Sequence, residues 1–364
     1  MGEWRETTWG AVGNLNYGRA LPTVERGESG AVEVFGTVGP IGFTDRKALG
    51  AGPKLIIGRK GAYRGVTLAR GPFWVIDTAY WLDLDATVDP FWAYYSLKHA
   101  DINSLGSGSA IPSTTREDFY ALNVSLPNLG EQRAIAEVLG ALDDKIAANT
   151  RLAATADELA RLCFRRMVND SNRREPLSQT ARFVNGRNFT KGATGTGRVV
   201  IRIAELNSGL TGSTVRNEVD ACDDNVARPG DLLFAWSGSL TLSRWFRDEG
   251  VVNQHIFKVI PNSGYPTWLI HQLILDKLEQ FRAIAADKAT TMGHIQRRHL
   301  DELVTVPSKD SIAAEDAGMA ALWERALLAE RENLSLAAIR DTLLPQLMSG
   351  SVRMREAQEV VDAL

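Results

Sequence analysis

The chain has 364 residues, 44% hydrophobic and 23% charged, and a formal net charge of −3, which is ordinary for a water-soluble protein with room for two domains. No apolar run reaches the roughly 18 residues that span a bilayer, and MGEWRETTWG has neither the basic nor the apolar region of a signal peptide. Cys163 and Cys222 are the only cysteines, so a disulfide framework is excluded and the expected compartment is the reducing cytoplasm.

Residues 1–127 read as a mixed α+β domain. Short β-rich runs such as Lys54–Ile57 and Phe73–Ile76 alternate with glycine-rich turns, and a helix is expected at 90–100. Residues 128–170 read as a long helix. From Glu131 to Met167 the only helix-breaking residue is Gly140. Ile135, Leu139, Leu142, Ile146, Asn149, Ala153, Ala156, Ala160, Cys163 and Met167 alternate spacings of four and three, a heptad seam. Asn149 in that seam either fixes the register of a packed pair or lies on the surface of a looser helix.

Residues 171–310 read as a second α+β domain, with strands at Val199–Ile203 and Val251–Ile260 and a helix at 266–286. Residues 311–350 form the second long helix, with Pro345 near its end and Ser349-Gly350 as its stop. A tail, 351–364, follows. At 1.5 Å per residue the first helix is roughly 55 Å long. The two helices have no apolar partner but each other, so an antiparallel coiled coil is expected.

Charge is unevenly spread. Seven basic residues and no acid lie between Arg46 and Ile76 (Arg46, Lys47, Lys54, Arg59, Lys60, Arg64 and Arg70). Arg182, Arg187, Lys191, Arg198 and Arg202 form a second acid-free stretch between Pro176 and Ala204, and Lys288, Arg297 and Arg298 a third group. Residues 311–364 hold five basic and nine acidic residues. An acidic chain arranged this way can still present positive faces.

The chain also repeats itself. Pro53-Lys-Leu-Ile-Ile-Gly-Arg-Lys-Gly61 parallels Gly230-Asp-Leu-Leu-Phe-Ala-Trp-Ser-Gly238, matching Leu55 with Leu232 and Gly61 with Gly238. Arg116-Glu-Asp-Phe119 with Leu122 and Pro127 parallels Arg297-Arg-His-Leu300 with Leu303 and Pro307. Asn149, Leu152, Asp157 and Leu159 match Asn333, Leu336, Asp341 and Leu343. So long a period means a duplicated domain plus helix, not a solenoid.

With these motifs the chain resembles the specificity subunit of type I restriction-modification enzymes, HsdS. The likeness is carried by Val34-Phe-Gly-Thr-Val-Gly-Pro-Ile-Gly42, Ile56-Ile-Gly-Arg-Lys-Gly61 and the junction Leu126-Pro-Asn-Leu-Gly-Glu-Gln132. In the second half it is carried by Gly230-Asp-Leu-Leu-Phe234 and Leu343-Leu-Pro-Gln-Leu-Met-Ser-Gly350. The second junction, Pro307-Ser-Lys-Asp-Ser-Ile-Ala-Ala-Glu315, lacks the Glu-Gln pair. The resemblance implies two target-recognition domains, each reading half of an asymmetric bipartite site in double-stranded DNA. It implies helices that set the gap and dock two methyltransferase subunits. It further implies no cofactor in this chain: S-adenosylmethionine belongs to the methyltransferase, and ATP and Mg to a nuclease subunit that can join.

Reading bases takes side chains that reach groove edges. In the first domain the candidates are Arg59, Lys60, Tyr63 and Arg64, with Lys98, His99, Ser107 and Ser109 as a second approach. In the second they are Trp236, Ser237, Ser239, Arg244, Asn253, Gln254 and His255, with Arg297 and Arg298 for phosphate after Thr290-Thr-Met-Gly-His294. Glu131, Gln132, Asn149 and Asn333 are the candidate partner-binding residues. Each is equally explained by a surface or core-supporting role.

Catalytic readings find less. A standalone adenine methyltransferase needs an Asn/Asp-Pro-Pro-aromatic loop, and the nearest match, Asp89-Pro-Phe-Trp92, has one proline. Asp83 and Asp85 have no lysine nearby in sequence to build a nuclease centre, and no zinc spacing or nucleophile motif is present. The remaining alternative is a non-catalytic assembly protein whose recognition domains bind a protein.

Overall fold

A computed structural model describes residues 4–106, 112–287 and 293–352. Ser107, Ser109, Lys288, the Thr290-Thr-Met run and the tail beyond 352 therefore lie outside the described residues. The chain forms two compact units, Met1–Lys145 with Leu336–Leu364, and Ile146–Ser335. The division falls inside both long helices, so each unit is a globular domain with its own stretch of helix pair.

In the first unit the strands are β1 (Arg5–Thr8), β2 (Gly13–Tyr17), β3 (Val32–Phe35), β4 (Pro40–Thr44), β5 (Gly50–Ala51), β6 (Lys54–Gly58), β7 (Val66–Ala69), β8 (Pro72–Val75), β9 (Ala79–Leu84) and β10 (Asn123–Leu126). Helices α1 (Trp9–Val12), α2 (Pro90–His99) and α3 (Arg116–Tyr120) precede α4 (Leu129–Asn169). The strands make a sheet β2-β9-β6-β7, a second sheet β4-β3-β8-β5 and a ribbon β1-β10. Strand β6 is internal and covered on both faces, with Leu55, Ile56 and Ile57 buried. That is why it reads as a continuous apolar run and not as an alternation. Trp9 stacks on Trp92 and contacts Phe119, tying α1, α2 and α3 together. Asp89 caps α2, accepting from the Phe91 and Trp92 amides at 2.9 and 3.1 Å.

The second unit repeats the plan. It holds β11 (Arg174–Pro176), α5 (Leu177–Thr180), β12 (Ala181–Asn185), β13 (Arg198–Ile201), α6 (Ile203–Ser208), β14 (Arg216–Asn217), β15 (Val226–Ala227), β16 (Leu232–Ala235), β17 (Leu242–Arg244), β18 (Gly250–Val252), β19 (Ile256–Pro261), α7 (Thr267–Asp287), β20 (Leu303–Thr305) and α8 (Lys309–Met348). Its sheets are β12-β19-β16-β17 and β14-β13-β18-β15, with a ribbon β11-β20. β3 pairs with β8 in parallel, and β13 with β18 likewise. The mixed α/β domain with a long helix, written twice, is the architecture the sequence predicts.

Two segments differ from their expected form. The apolar run Val251–Ile260 is two strands in different sheets, β18 and β19, broken at Asn253-Gln254-His255, where His255 takes φ 73°. Ile203 starts α6 instead of ending a strand.

The heptad residues meet across the helices. Ile135, Leu139, Leu142, Asn149, Ala153, Ala156, Ala160 and Met167 are buried on α4. In the first unit Arg340 reaches Asp143 at 2.7 Å. In the second, Asn149 reaches Glu332, Ala153 and Ala156 pack on Ala326 and Ala329, and Arg166 reaches Glu315. Partner numbers fall on α8 as they rise on α4, so the pair is antiparallel. Small alanines at the crossing allow close approach of the backbones.

The helix entrances are built differently. Asn128 caps α4, accepting from the Glu131 amide at 3.0 Å, and Ser308 caps α8, accepting from Ser311 at 3.1 Å. Gln132, fully buried, donates to the carbonyls of Pro127 (2.8 Å) and Thr87 (3.0 Å) and accepts from the Asp89 amide at 2.7 Å. At the second entrance the buried side chain is the apolar Ile312, packed into the core with Trp323 and Met319. The missing Glu-Gln pair is thus replaced by apolar packing.

Candidate nucleic-acid interface

In each unit the turn after the central strand is stitched to a later segment by the same backbone bonds. In the first, Gly61 N donates to Pro112 O (3.0 Å) and Thr114 N to Arg59 O (2.9 Å), with a bridge between Lys60 and Ser113. In the second, Gly238 N donates to Gly293 O (2.9 Å) and Ile295 N to Trp236 O (3.0 Å), with a bridge between Ser237 and His294. Arg59 N donates to Thr78 O (2.9 Å), and Trp236 N to His255 O (3.0 Å). Gly61 and Gly238 have φ of 119° and 68°, a backbone region that favours glycine. The framework is conserved between the halves while the side chains on it differ: Arg59 corresponds to Trp236, Lys60 to Ser237 and Thr78 to His255.

On the first framework lies a basic-aromatic cluster. The guanidinium of Arg116 sits 4.3 Å from the half-exposed Tyr17 ring centroid and that of Arg59 5.0 Å from it. Arg59 also reaches Tyr80 at 5.6 Å and donates to Asp77 O at 3.1 Å. Burial holds the Tyr80 hydroxyl above its ordinary value, against the pull of Arg59. Arg116 donates to Leu15 O at 2.6 Å, and its counterpart Arg297 donates to Phe183 O at 2.8 Å. Both arginines fasten the strand that ends at the cluster. Lys60 and Tyr63 are exposed. Lys98 and His99 close α2, Lys98 lying 5.0 Å from the Tyr94 ring.

On the second framework Trp236 packs against His255, Phe257 and His294, and its indole N–H donates to Asn185 Oδ1 at 2.8 Å. Gln254, His255, Ser239, Arg297 and Arg298 are exposed, whereas Ser237 is buried. Asn253 is buried too, accepting from the Phe189 amide at 3.1 Å.

Two further candidates for base contact, besides Ser237 and Asn253, are turned inward. Arg64 is 1% exposed and donates to Asn103 O (2.8 Å) and Leu105 O (2.9 Å). Arg244 is buried beneath Trp323, its guanidinium 4.5 Å from the ring, and pairs with Glu330 at 2.9 Å and Asp157 at 3.2 Å. Burial opposes its charge, but the Glu330 and Asp157 bonds prevail and raise its pKa. Both arginines spend their donors inside the fold, so neither reaches a groove. Among the partner candidates Gln132 is enclosed, Asn149 and Asn333 hold the helix crossing, and Glu131 lies in the first turn of α4, where a carboxylate suits the helix dipole.

The catalytic alternatives gain nothing in space. Asp89-Pro-Phe-Trp92 is a helix cap, Asp83 forms an ion pair with Lys54 across the sheet, and Asp85 accepts from Thr87 N. Among the described residues no group of His, Cys, Asp and Glu is placed to hold a metal ion. No helix among them is long and apolar enough to cross a membrane.

Comparison with known proteins fits this duplicated framework. Residues 1–156 match the family described as the type I restriction modification DNA specificity domain. That match takes in the first stitched framework and α4 as far as residue 156. Over the whole chain the fold is similar to the type I restriction-modification system S subunit from M. genitalium, at 18% identity and TM-score 0.66, covering 94% of this chain and 96% of that one. An HsdS subunit from Thermoanaerobacter tengcongensis aligns at 15% identity and TM-score 0.33, covering 97% and 98%. No curated protein matches the sequence. The second unit, beyond that match, repeats the fold of the first, by the sheet orders and stitched turns above.

Sequence reasoning passed over Tyr17, Arg116 and Asn185. A signal for Arg116 was present, since its motif aligns with that of Arg297. Tyr17 and Asn185 end strands with no matching motif, and only the β2-β9 and β12-β19 pairings bring them beside the turns.

Proposed function

We propose that the chain is the DNA-reading specificity subunit of a type I restriction-modification complex and has no catalytic centre of its own. Each recognition domain reads one half of an asymmetric bipartite site in double-stranded DNA. The long helices set the gap and dock two copies of a methyltransferase subunit. That subunit brings S-adenosylmethionine and the methyl-transfer chemistry, and the same assembly can accept a nuclease subunit using ATP and Mg.

The observation that carries this reading is one stitched framework built twice with different side chains. A shared scaffold with divergent turns suits two different half-sites, and half-sites on one face of B-DNA lie about one helical turn, roughly 34–36 Å, apart. The specificity-domain match over residues 1–156 and the whole-chain likeness to a protein described as an S subunit support it. A net charge of −3 makes the isolated chain a weak DNA binder, with the partner subunits completing the clamp.

The test is the affinity of the chain–methyltransferase complex for DNA duplexes as salt is varied. The proposal expects tight binding to one split sequence, with log affinity falling steeply and linearly against log salt. Binding to protein partners with no sequence-dependent DNA affinity would support the assembly-protein reading instead.

A further inference from the structure

The two domains present chemically opposite tips at equivalent places. In the first, the loop after β3 packs on the turn after β6: Gly65 N donates to Thr37 O at 2.9 Å, and Thr37 Oγ1 donates to Thr78 O at 2.9 Å. The packing is too close for side chains. A Cβ on Gly65 would lie 2.6 Å from Val38 O, and one on Gly58 2.3 Å from Thr37 O. The tip that results is apolar and exposed, with Tyr63 at 66%, Val38 at 59% and Ile41 at 40%. Arg59 and Lys60 stand at its base, in a stretch that carries no acid from Arg46 to Ile76.

In the second domain α6 occupies the place of that loop and packs on the turn after β16. Its exposed Asn207 is held by hydroxyls from the turn. Asn207 Nδ2 donates to Ser239 Oγ at 3.0 Å, Thr241 Oγ1 donates to Asn207 Oδ1 at 2.6 Å, and the two hydroxyl oxygens lie 2.7 Å apart. An exposed amide ordinarily rotates freely. This one has its plane set by two neighbours: Ser239 Oγ also lies 3.4 Å from Asn207 Oδ1, a longer contact that a better donor can displace, and one N–H stays outside these bonds. A fixed amide offering one donor and one acceptor complements the N6 and N7 edge of adenine.

We infer that the two domains read DNA by different chemistry: Asn207, oriented by Ser239 and Thr241, reads an adenine in one half-site, and the Val38, Ile41 and Tyr63 tip reads a thymine methyl in the other. The inference rests on the specificity-subunit reading and assigns it a mode of readout for each half. The apolar tip is matched to duplex DNA, and not to an apolar protein, by the cations at its base, which suit the flanking phosphates.

The experiment uses the full chain in complex with its methyltransferase and a pool of duplexes randomised across both half-sites, with methylation of each sequence read out. For Asn207→Ala, discrimination at one base pair of one half-site should fall roughly tenfold or more, with the other half unchanged. Ser239→Ala with Thr241→Val, which frees the amide without removing it, should weaken preference at that same base pair by a smaller factor. Tyr63→Ala and Val38→Ala should change preference only in the opposite half-site, at a thymine. The inference is overturned if Asn207→Ala leaves every base preference intact, or lowers methylation evenly over all sequences as a backbone contact would. It is also overturned if either tip alters both halves. A wild-type complex without any bipartite preference would instead sink the specificity-subunit reading on which the inference stands.

Discussion

Asn149 on α4 donates to Glu332 on α8 at 2.8 Å from within a seam otherwise made of Ile, Leu, Ala, Cys and Met. Asn333, the residue it matches in the repeat, donates to Thr150 at 3.1 Å. The two asparagines therefore hold one helix crossing from both sides, and a polar residue at a seam position fixes register at some cost in stability. Asn149→Asp sets a second carboxylate against Glu332 in a part-buried site. It should destabilise the second unit by about 2–4 kcal/mol near neutral pH. Part of the loss should return as acid protonates the pair, which thermal melts at pH 7 and pH 5 would detect.

Arg244 ties β17 to both helices through Asp157 and Glu330 and lies under Trp323. Removing one partner of such a cluster leaves the others desolvated and unpaired. Because Asp157 and Glu330 are both partly exposed to water, Arg244→Ala is expected to cost about 2–4 kcal/mol and not more. Hydrogen exchange should quicken at 157, 244 and 330 while the first unit keeps its protection.

Gln132 joins three backbone groups, the Asp89 amide and the carbonyls of Thr87 and Pro127. Replacing it with leucine preserves bulk but abandons those groups, at about 2–3 kcal/mol. Ile312→Leu at the matching position of α8 involves no polar group and should cost under about 1.5 kcal/mol. Chemical denaturation of the pair of variants checks the asymmetry.

His271 packs edge-on to Trp323, and its imidazole is pushed down to about 4, chiefly by burial, with Asp157 pulling upward and Arg244 downward. A depressed histidine value means the unfolded chain binds the proton first. Its contribution is therefore complete above the ordinary value near 6.5 and is lost progressively as pH falls from there towards 4. His271→Gln should flatten the loss of melting temperature between pH 7 and pH 4.5 by about 3–6 °C. An unchanged pH profile would show that His271 is not the group responsible.

Much of this fold is legible in the chain because it is local or periodic. The heptad spacing picks out Leu139, Leu142 and Asn149, and the match of Gly61 with Gly238 locates the turn that recurs in both units. What failed was decided by tertiary contact. Arg64 and Arg244 look like surface cations, and only the carbonyls of Asn103 and Leu105, or the carboxylates of Asp157 and Glu330, show where their donors go. The apolar run through Val251–Ile260 hides its corner, since Asn253 and His255 change the chain's direction without a glycine or proline. Asn207 was silent for a related reason: its orientation depends on hydroxyls more than thirty residues away.

The central claim is that this chain gives a methyltransferase its sequence preference, and methylated adenine mapped across a genome tests it most directly. The chain and its methyltransferase would be co-expressed, then the methyltransferase alone. The account predicts methylation confined to one asymmetric split sequence with a fixed gap, lost when this chain is absent. The same methylation pattern with and without the chain would contradict it.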